Sequence, residues 1–262
     1  MIWGPVGGAS ARVPLRRLGR WLGWQGVAYE IARQAGTAVP RRIWGDRMAR
    51  RSSLVIAQNA DVARRFRHAH RVVVEPNVAL TPTREPVAET GPEREAGRAI
   101  YVGRLIGLKL PRLALDAIAR TATWRLDLYG AGGGRRDLER RARRLGIADR
   151  VRFMGHRPRD EVLAAYREAE VLVFPSVHDQ AGWAVAEAAT AGCPVVCLPF
   201  GGPPVLADRN GIVVGLDGDI VQHVADAMEE AARRGGRSLD RWSVERLPPL
   251  VSRWYADAVA AR

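Results

Sequence analysis

A chain of 262 residues, 47% apolar and 26% charged, is long enough for two modest α/β domains and ordinary in composition for a globular protein. Its longest apolar run, Pro194 to Phe200, falls far short of the roughly 20 residues of a membrane-spanning helix, and Trp3-Gly4-Pro5 running into glycines and arginines predicts no signal peptide. The net charge of +13 is uneven: residues 12–71 hold 14 arginines against three acids, Glu30, Asp46 and Asp61.

That block suits an anionic membrane surface or an acidic substrate; a solvated basic face would have the same composition. Nucleic acid is disfavoured, because aromatics are not interleaved as a stacking platform and no nucleic-acid motif occurs. Within the block, residues 12–51 are helix-compatible, with Leu15, Leu18, Trp21 and Leu22 on one apolar stripe. Residues 52–59 predict a buried strand. Residues 60–66 predict a helix capped by Asn59 or Asp61. Residues 71–77 predict a strand stopped by Pro76, and His68 and His70 before it are expected to be solvated.

Residues 79–97 carry three prolines and four glutamates with no sustained apolar period, which predicts a linker and a domain boundary. The expected domains are therefore 1–97 and 98–262. Beyond it, strands are predicted at 98–103, 124–130, 151–155, 170–176 and 194–200. Helices are predicted at 110–121, 136–146, 159–168 and 182–192. The segment 211–215 follows, then helices to the end. This alternation predicts a parallel sheet wrapped on both faces. Ligands of such sheets bind at the carboxyl ends of strands, which directs attention to the loops at 103–109, 130–135, 155–158, 175–183 and 200–204. Cys193 and Cys197, the only cysteines, flank Pro-Val-Val in the last of these strands and are expected to be buried, reduced thiols. No metal-ligand set is evident.

Among 41 Lys and Arg residues, Lys109 is the only lysine. It lies five residues after Gly103-Arg104, at the expected start of a helix, where free N–H groups favour anions. A guanidinium fork and a movable ammonium together make a diphosphate clamp; two exposed surface cations would also fit the pattern. Gly130 and Gly132 open a G-x-G, but Arg135 stands where a nicotinamide fingerprint needs its third glycine, so that reading is weak. Asp179 lies in a loop before Gly182, and Glu187 lies one to two turns into the next helix among alanines. A carboxylate placed so is rarely left unpaired. Vicinal hydroxyls of a ligand or a neighbouring arginine would satisfy it.

In order, Gly-Arg-Leu-x3-Lys, Gly-x-Gly, DRVRFMGHRPRDEVLAAYREAEVLVFPS, acid-x7-Glu-Ala and AGCPVV resemble the donor-binding half of retaining glycosyltransferases of family 4. The match covers residues 98–215, and residues 242–255 more loosely. The resemblance implies an α/β protein of GT-B type with two Rossmann-like domains, the N-terminal one incomplete and the C-terminal one a doubly wound parallel sheet. Ile2 to Gly8 resemble a segment from the middle of the acceptor-side domain. The resemblance also implies a sugar transferred with retention from a UDP- or GDP-sugar to a lipid-linked or polysaccharide acceptor. A donor-binding module without a complete acceptor domain is the alternative. Arg104 and Lys109 match the pair that neutralises the diphosphate, and Gly103 and Gly130 match the turns beside them. Asp179, where the family has Glu, matches the acid near the sugar. Glu187 matches the acid on the ribose hydroxyls. Gly182, Trp183 and Ala184 match the loop whose amides meet sugar or phosphate, and His156 and Arg157 the turn beside the nucleobase. No metal cofactor is implied. The expected location is cytoplasmic, at the inner face of a membrane.

Overall fold

The computed structural model describes residues 1–7, 12–81 and 94–260. Strand β1 (Ile2–Val6) leads to helix α1 (Leu15–Pro40), kinked at Gly23 where φ is 68°, a wider helical turn over 41–45, and α2 (Asp46–Arg51). Strand β2 (Leu54–Ala57), helix α3 (Ala60–Arg65) and strand β3 (Val72–Val74) follow. The three strands form a parallel sheet in the order β1-β2-β3. Asn59 is the cap of α3, its Oδ1 accepting from the Val62 amide at 3.1 Å. Asp61 has other work, described below. His68 and His70 are exposed.

Most of the expected linker, residues 82–93, lies outside the described residues, as does Gly8. At its near end Leu80 bridges to Ser243. At its far end strand β4 (Glu95–Val102) begins three residues earlier than the apolar pattern suggests. The cause is a buried polar network rather than hydrophobicity. Arg98 Nε donates to Asp127 at 3.0 Å and Arg98 Nη1 to Glu168 at 2.7 Å, while the Gly97 amide donates to Glu170.

The regular alternation then appears. Helix α4 (Pro111–Ala119), β5 (Arg125–Tyr129), α5 (Arg135–Arg144), β6 (Val151–Gly155), α6 (Arg159–Glu168) and β7 (Ala169–Phe174) come first. Then come α7 (Trp183–Thr190), β8 (Val195–Cys197), α8 (Pro203–Ala207), β9 (Gly211–Val213), α9 (Ile220–Arg234) and α10 (Leu247–Ala260). Six parallel strands form one sheet in the order β6-β5-β4-β7-β8-β9. This is the doubly wound order, with its switch point between β4 and β7.

Period-two alternation divides the core. Ala99, Tyr101, Val171, Val173 and Val196 face α4, α5 and α9; Ile100, Leu172, Phe174, Val195 and Cys197 face α6, α7 and α8. Both cysteines are buried and free, and burial pushes each thiol up to about 12.

Two features reshape the expected layout. The apolar stripe of α1 is real, but Leu18, Trp21 and Leu22 belong to the core of the second sheet, beside Leu113 and Leu115 of α4. Trp21 Nε1 donates to Asp116 at 2.7 Å. The closing helix α10 returns to the first sheet, where Leu250 and Trp254 pack on Leu54 and Ile56.

Candidate functional site

The loops at the carboxyl ends of the second sheet form a chain of backbone hydrogen bonds. After β4, the Leu105 amide donates to Ala131 at 3.0 Å, and the Gly134 amide returns to Leu105 at 3.0 Å. The Gly103 amide donates to Tyr129 at 2.9 Å and the Gly130 amide to Gly155 at 2.7 Å. Gly130 has φ +132°, and a Cβ there would overlap the Gly103 carbonyl oxygen. Only glycine permits this approach. The loop after β7 joins through Val177, whose amide donates to Leu108 at 3.1 Å, and the loop after β8 through Gly202, whose amide donates to the Asp179 carbonyl at 2.9 Å.

Lys109 lies at the switch point. It does not open a helix: it ends a short tight turn, Gly107–Lys109, and Leu110, with φ 46°, separates it from α4. Pro111 fixes the start of α4 without contributing an N–H. The ammonium is directed across the switch point instead, pairing with the Asp179 carboxylate and donating to the His178 carbonyl at 3.0 Å. Arg104 is exposed and has no ion pair among the described residues. Its carbonyl accepts from Tyr101 Oη at 3.0 Å. Burial, and then the Asp179 charge, push the Tyr101 phenol well up, against the pull of Arg104, so it stays a neutral donor.

Glu187 is held elsewhere. Its Oε1 accepts from Arg159 Nε at 2.8 Å, across from α7 to the first residue of α6. The arginine partner open to it from sequence is therefore Arg159. His156 is exposed, and Arg157 donates to the Met154 carbonyl at 3.0 Å. Gly182, with φ 75°, precedes α7; Trp183 after it is 47% exposed and Ala184 half-buried. The structure thus joins Lys109 to Asp179 and packs Gly103, Gly130 and Gly155 side by side. It leaves Glu187, His156 and Arg157 on the α6 side of the loops.

Further residues were not found by sequence. Asn59 Nδ2 donates to the Gln180 carbonyl at 3.0 Å, and Asp61 accepts from the Gly201 amide at 3.0 Å. The first sheet therefore grips the loops after β7 and β8. Glu30, fully buried on α1, lies with its Oε2 3.3 Å from His178 Nε2. A lone acid in an arginine-rich helix was the available clue. Among the described residues, no three His, Cys, Asp or Glu side chains are grouped as metal ligands would be.

The model of the family described as glycosyl transferases group 1 matches residues 96–234, more than half of the chain. The chain belongs to this family. Among curated relatives, D-inositol 3-phosphate glycosyltransferase of Mycolicibacterium smegmatis is 32% identical over 185 residues, covering 64% of this chain and 42% of that protein. The 2-deoxystreptamine glucosyltransferase of Streptomyces kanamyceticus is 34% identical over 192 residues, covering 68% and 48%. The chain spans less than half the length of these relatives. Among solved structures, Anabaena HepE in complex with UDP superposes with a TM-score of 0.57 at 20% identity, covering 80% of this chain and 66% of that one. The lipopolysaccharide outer core galactosyltransferase WaaB gives 0.58 at 20%, covering 77% and 62%. This member of the group 1 glycosyl transferase family has the GT-B fold.

Proposed function

We propose that the chain binds a nucleotide-diphosphate sugar at the carboxyl ends of β4 and β7 and serves transfer of that sugar with retention of configuration. The observation that carries the reading is Lys109, held by Asp179 and His178 at the switch point, with Arg104 exposed on the same loop. As the glycosidic bond breaks, the leaving diphosphate gains negative charge, and cations already in place stabilise it in the transition state. Asp179 stands at the sugar, and Glu187, held by Arg159, at the ribose hydroxyls. Glycines 103 and 130 let backbone approach the phosphates, the first amides of α7 after Gly182 meet the sugar or phosphate, and His156 and Arg157 border the base. The six-stranded sheet, with α1 docked on it, forms the donor side, and the three-stranded sheet, with α10 returning to it, the acceptor side.

The acceptor is proposed to be lipid-linked or polysaccharide, presented at an anionic membrane surface. Trp24, Ile31, Val39, Ile43 and Trp44 are exposed on α1 and the turn after it, among exposed arginines. Apolar anchors within a basic field suit acidic headgroups. No described helix is long and apolar enough to cross a membrane.

Calorimetry with UDP, GDP and ADP tests the donor half. One nucleotide is expected to bind, and both Lys109→Ala and Glu187→Ala are expected to weaken it; binding of none would sink the reading. Transfer, or hydrolysis of the matching nucleotide sugar, tests catalysis. Binding without either would mark a donor-binding module. Flotation with anionic vesicles at low and high salt tests the membrane part.

A further inference from the structure

We propose that Glu30 is a positioning residue for the donor site: through Arg33 and His178 it holds the 176–182 loop on which Asp179 sits. This rests on the reading that Lys109 and Asp179 serve the donor.

Glu30 is 0% exposed, on a helix otherwise rich in arginine. A carboxylate out of water is tolerated only where it is paired and hydrogen-bonded. Here the pairing is complete on three sides. Arg33 Nε donates at 2.8 Å, Arg33 Nη2 donates to the other oxygen, and Gln34 Nε2 donates at 2.7 Å. The remaining side meets His178 Nε2 at 3.3 Å, and the edge of Tyr29 packs on the same imidazole, ring centroids 6.1 Å apart. His178 Nε2 makes no hydrogen bond among the described residues, so the ring is held against α1 by the close approach of Glu30 and the Tyr29 ring, while its backbone is set from the sheet. The His178 amide donates to Ser176 Oγ at 3.2 Å, and its carbonyl takes the Lys109 ammonium. Asp179 is the next residue.

Arg33 depends on the same carboxylate. Its Nη1 is buried with no hydrogen-bond partner among the described residues, so Glu30 alone answers its charge. Without that carboxylate, the largely buried Arg33 guanidinium, whose charge already acts on His178, is left unanswered beside the imidazole. The 176–182 loop, reached from α1 at His178, is what can yield. Glu30 itself has no surface from which to touch a ligand. Its action on the site is therefore indirect.

The test uses the full chain with Glu30→Gln, His178→Gln and the double variant. Amide hydrogen exchange reads the 176–182 loop, with β5 as internal reference, and calorimetry reads UDP. Each single variant is expected to speed exchange in the loop about tenfold with β5 unchanged. Each is expected to weaken UDP about five- to tenfold, because the His178 carbonyl that places the Lys109 ammonium moves with the loop, and the double variant to be no worse than the worse single one, because both act on one path. Unchanged loop exchange, exchange raised equally in β5, or additive losses would each overturn the proposal. Should Glu30→Gln not fold, His178→Gln carries the exchange test alone. Lys109→Ala separates the two readings: if it leaves UDP binding unchanged, the donor assignment fails, while loop exchange still decides for or against Glu30.

Discussion

The Lys109–Asp179 pair sets two side chains against each other. In the ligand-free protein the carboxylate neutralises the ammonium that the diphosphate is proposed to use. Both are mostly buried, 12% and 19% exposed, so the attraction is only partly screened. Removing either partner therefore has opposite effects on UDP. Lys109→Ala is expected to weaken UDP about tenfold, near 1.4 kcal/mol. Asp179→Asn is expected to tighten UDP about threefold, because the lysine is released and a like charge is removed from the diphosphate, yet to abolish turnover of the nucleotide sugar. Calorimetry beside a hydrolysis assay checks both. Weaker UDP binding by Asp179→Asn would show that the carboxylate does not compete. Lys109 was legible from sequence because it broke the chain's habit of using arginine. Its direction was not, since a left-handed Leu110 between it and α4 leaves no mark in the residue pattern.

At the scale of elements, the alternation of short apolar strands and helices was readable because the central strands β5, β7 and β8 are buried on both faces and the helices beside them on one. Boundaries failed where polar groups decide them, as at Arg98 in β4, and where consecutive prolines read as loop, as at the five-residue α8. The larger miss was the partner of α1. Periodicity located the stripe Leu18, Trp21, Leu22; it could not say that α4, some 90 residues later, receives it. Read by charge, the helix is a solvated basic face; by packing, it is core on one side. Trp21 is 1% exposed, so Trp21→Ala is expected to cost about 3–5 kcal/mol, measured by denaturant unfolding. A cost under about 1 kcal/mol would place α1 outside the core. Gly107→Ala probes the same docking from the other side. A Cβ there would overlap the Leu22 carbonyl oxygen, so the helix or the turn carrying Lys109 must shift. Loss of UDP affinity together with stability is expected, and retention of both would mean that the approach is looser than the structure has it.

Across the whole molecule, three polar contacts run from the N-terminal elements to the loops after β7 and β8: Asn59 to Gln180, Asp61 to Gly201 and Glu30 to His178. None of these was legible in the sequence, because each pairs residues more than 100 positions apart through single hydrogen bonds or charges. They make stability depend on pH in a defined direction. Burial alone would raise the Glu30 carboxyl, but hydrogen bonds from Arg33 and Gln34 and the Arg33 charge outweigh it and hold the group at about 2, below its ordinary 4.5. Burial, helped by the Arg33 charge, lowers His178 below its ordinary 6.5, with Glu30 opposing. In both cases the unfolded chain binds the proton first as pH falls, so stability is fully present above the ordinary value and drains away below it. The thermal midpoint is therefore expected to hold steady above pH 7, to fall as pH drops below 6.5, and to fall again between 4.5 and 2. His178→Gln removes the first titration and Glu30→Gln the second, so each variant's midpoint flattens in its own window. Wild type and His178→Gln declining in parallel between pH 7 and 5 would place the imidazole in water and detach α1 from the donor loop.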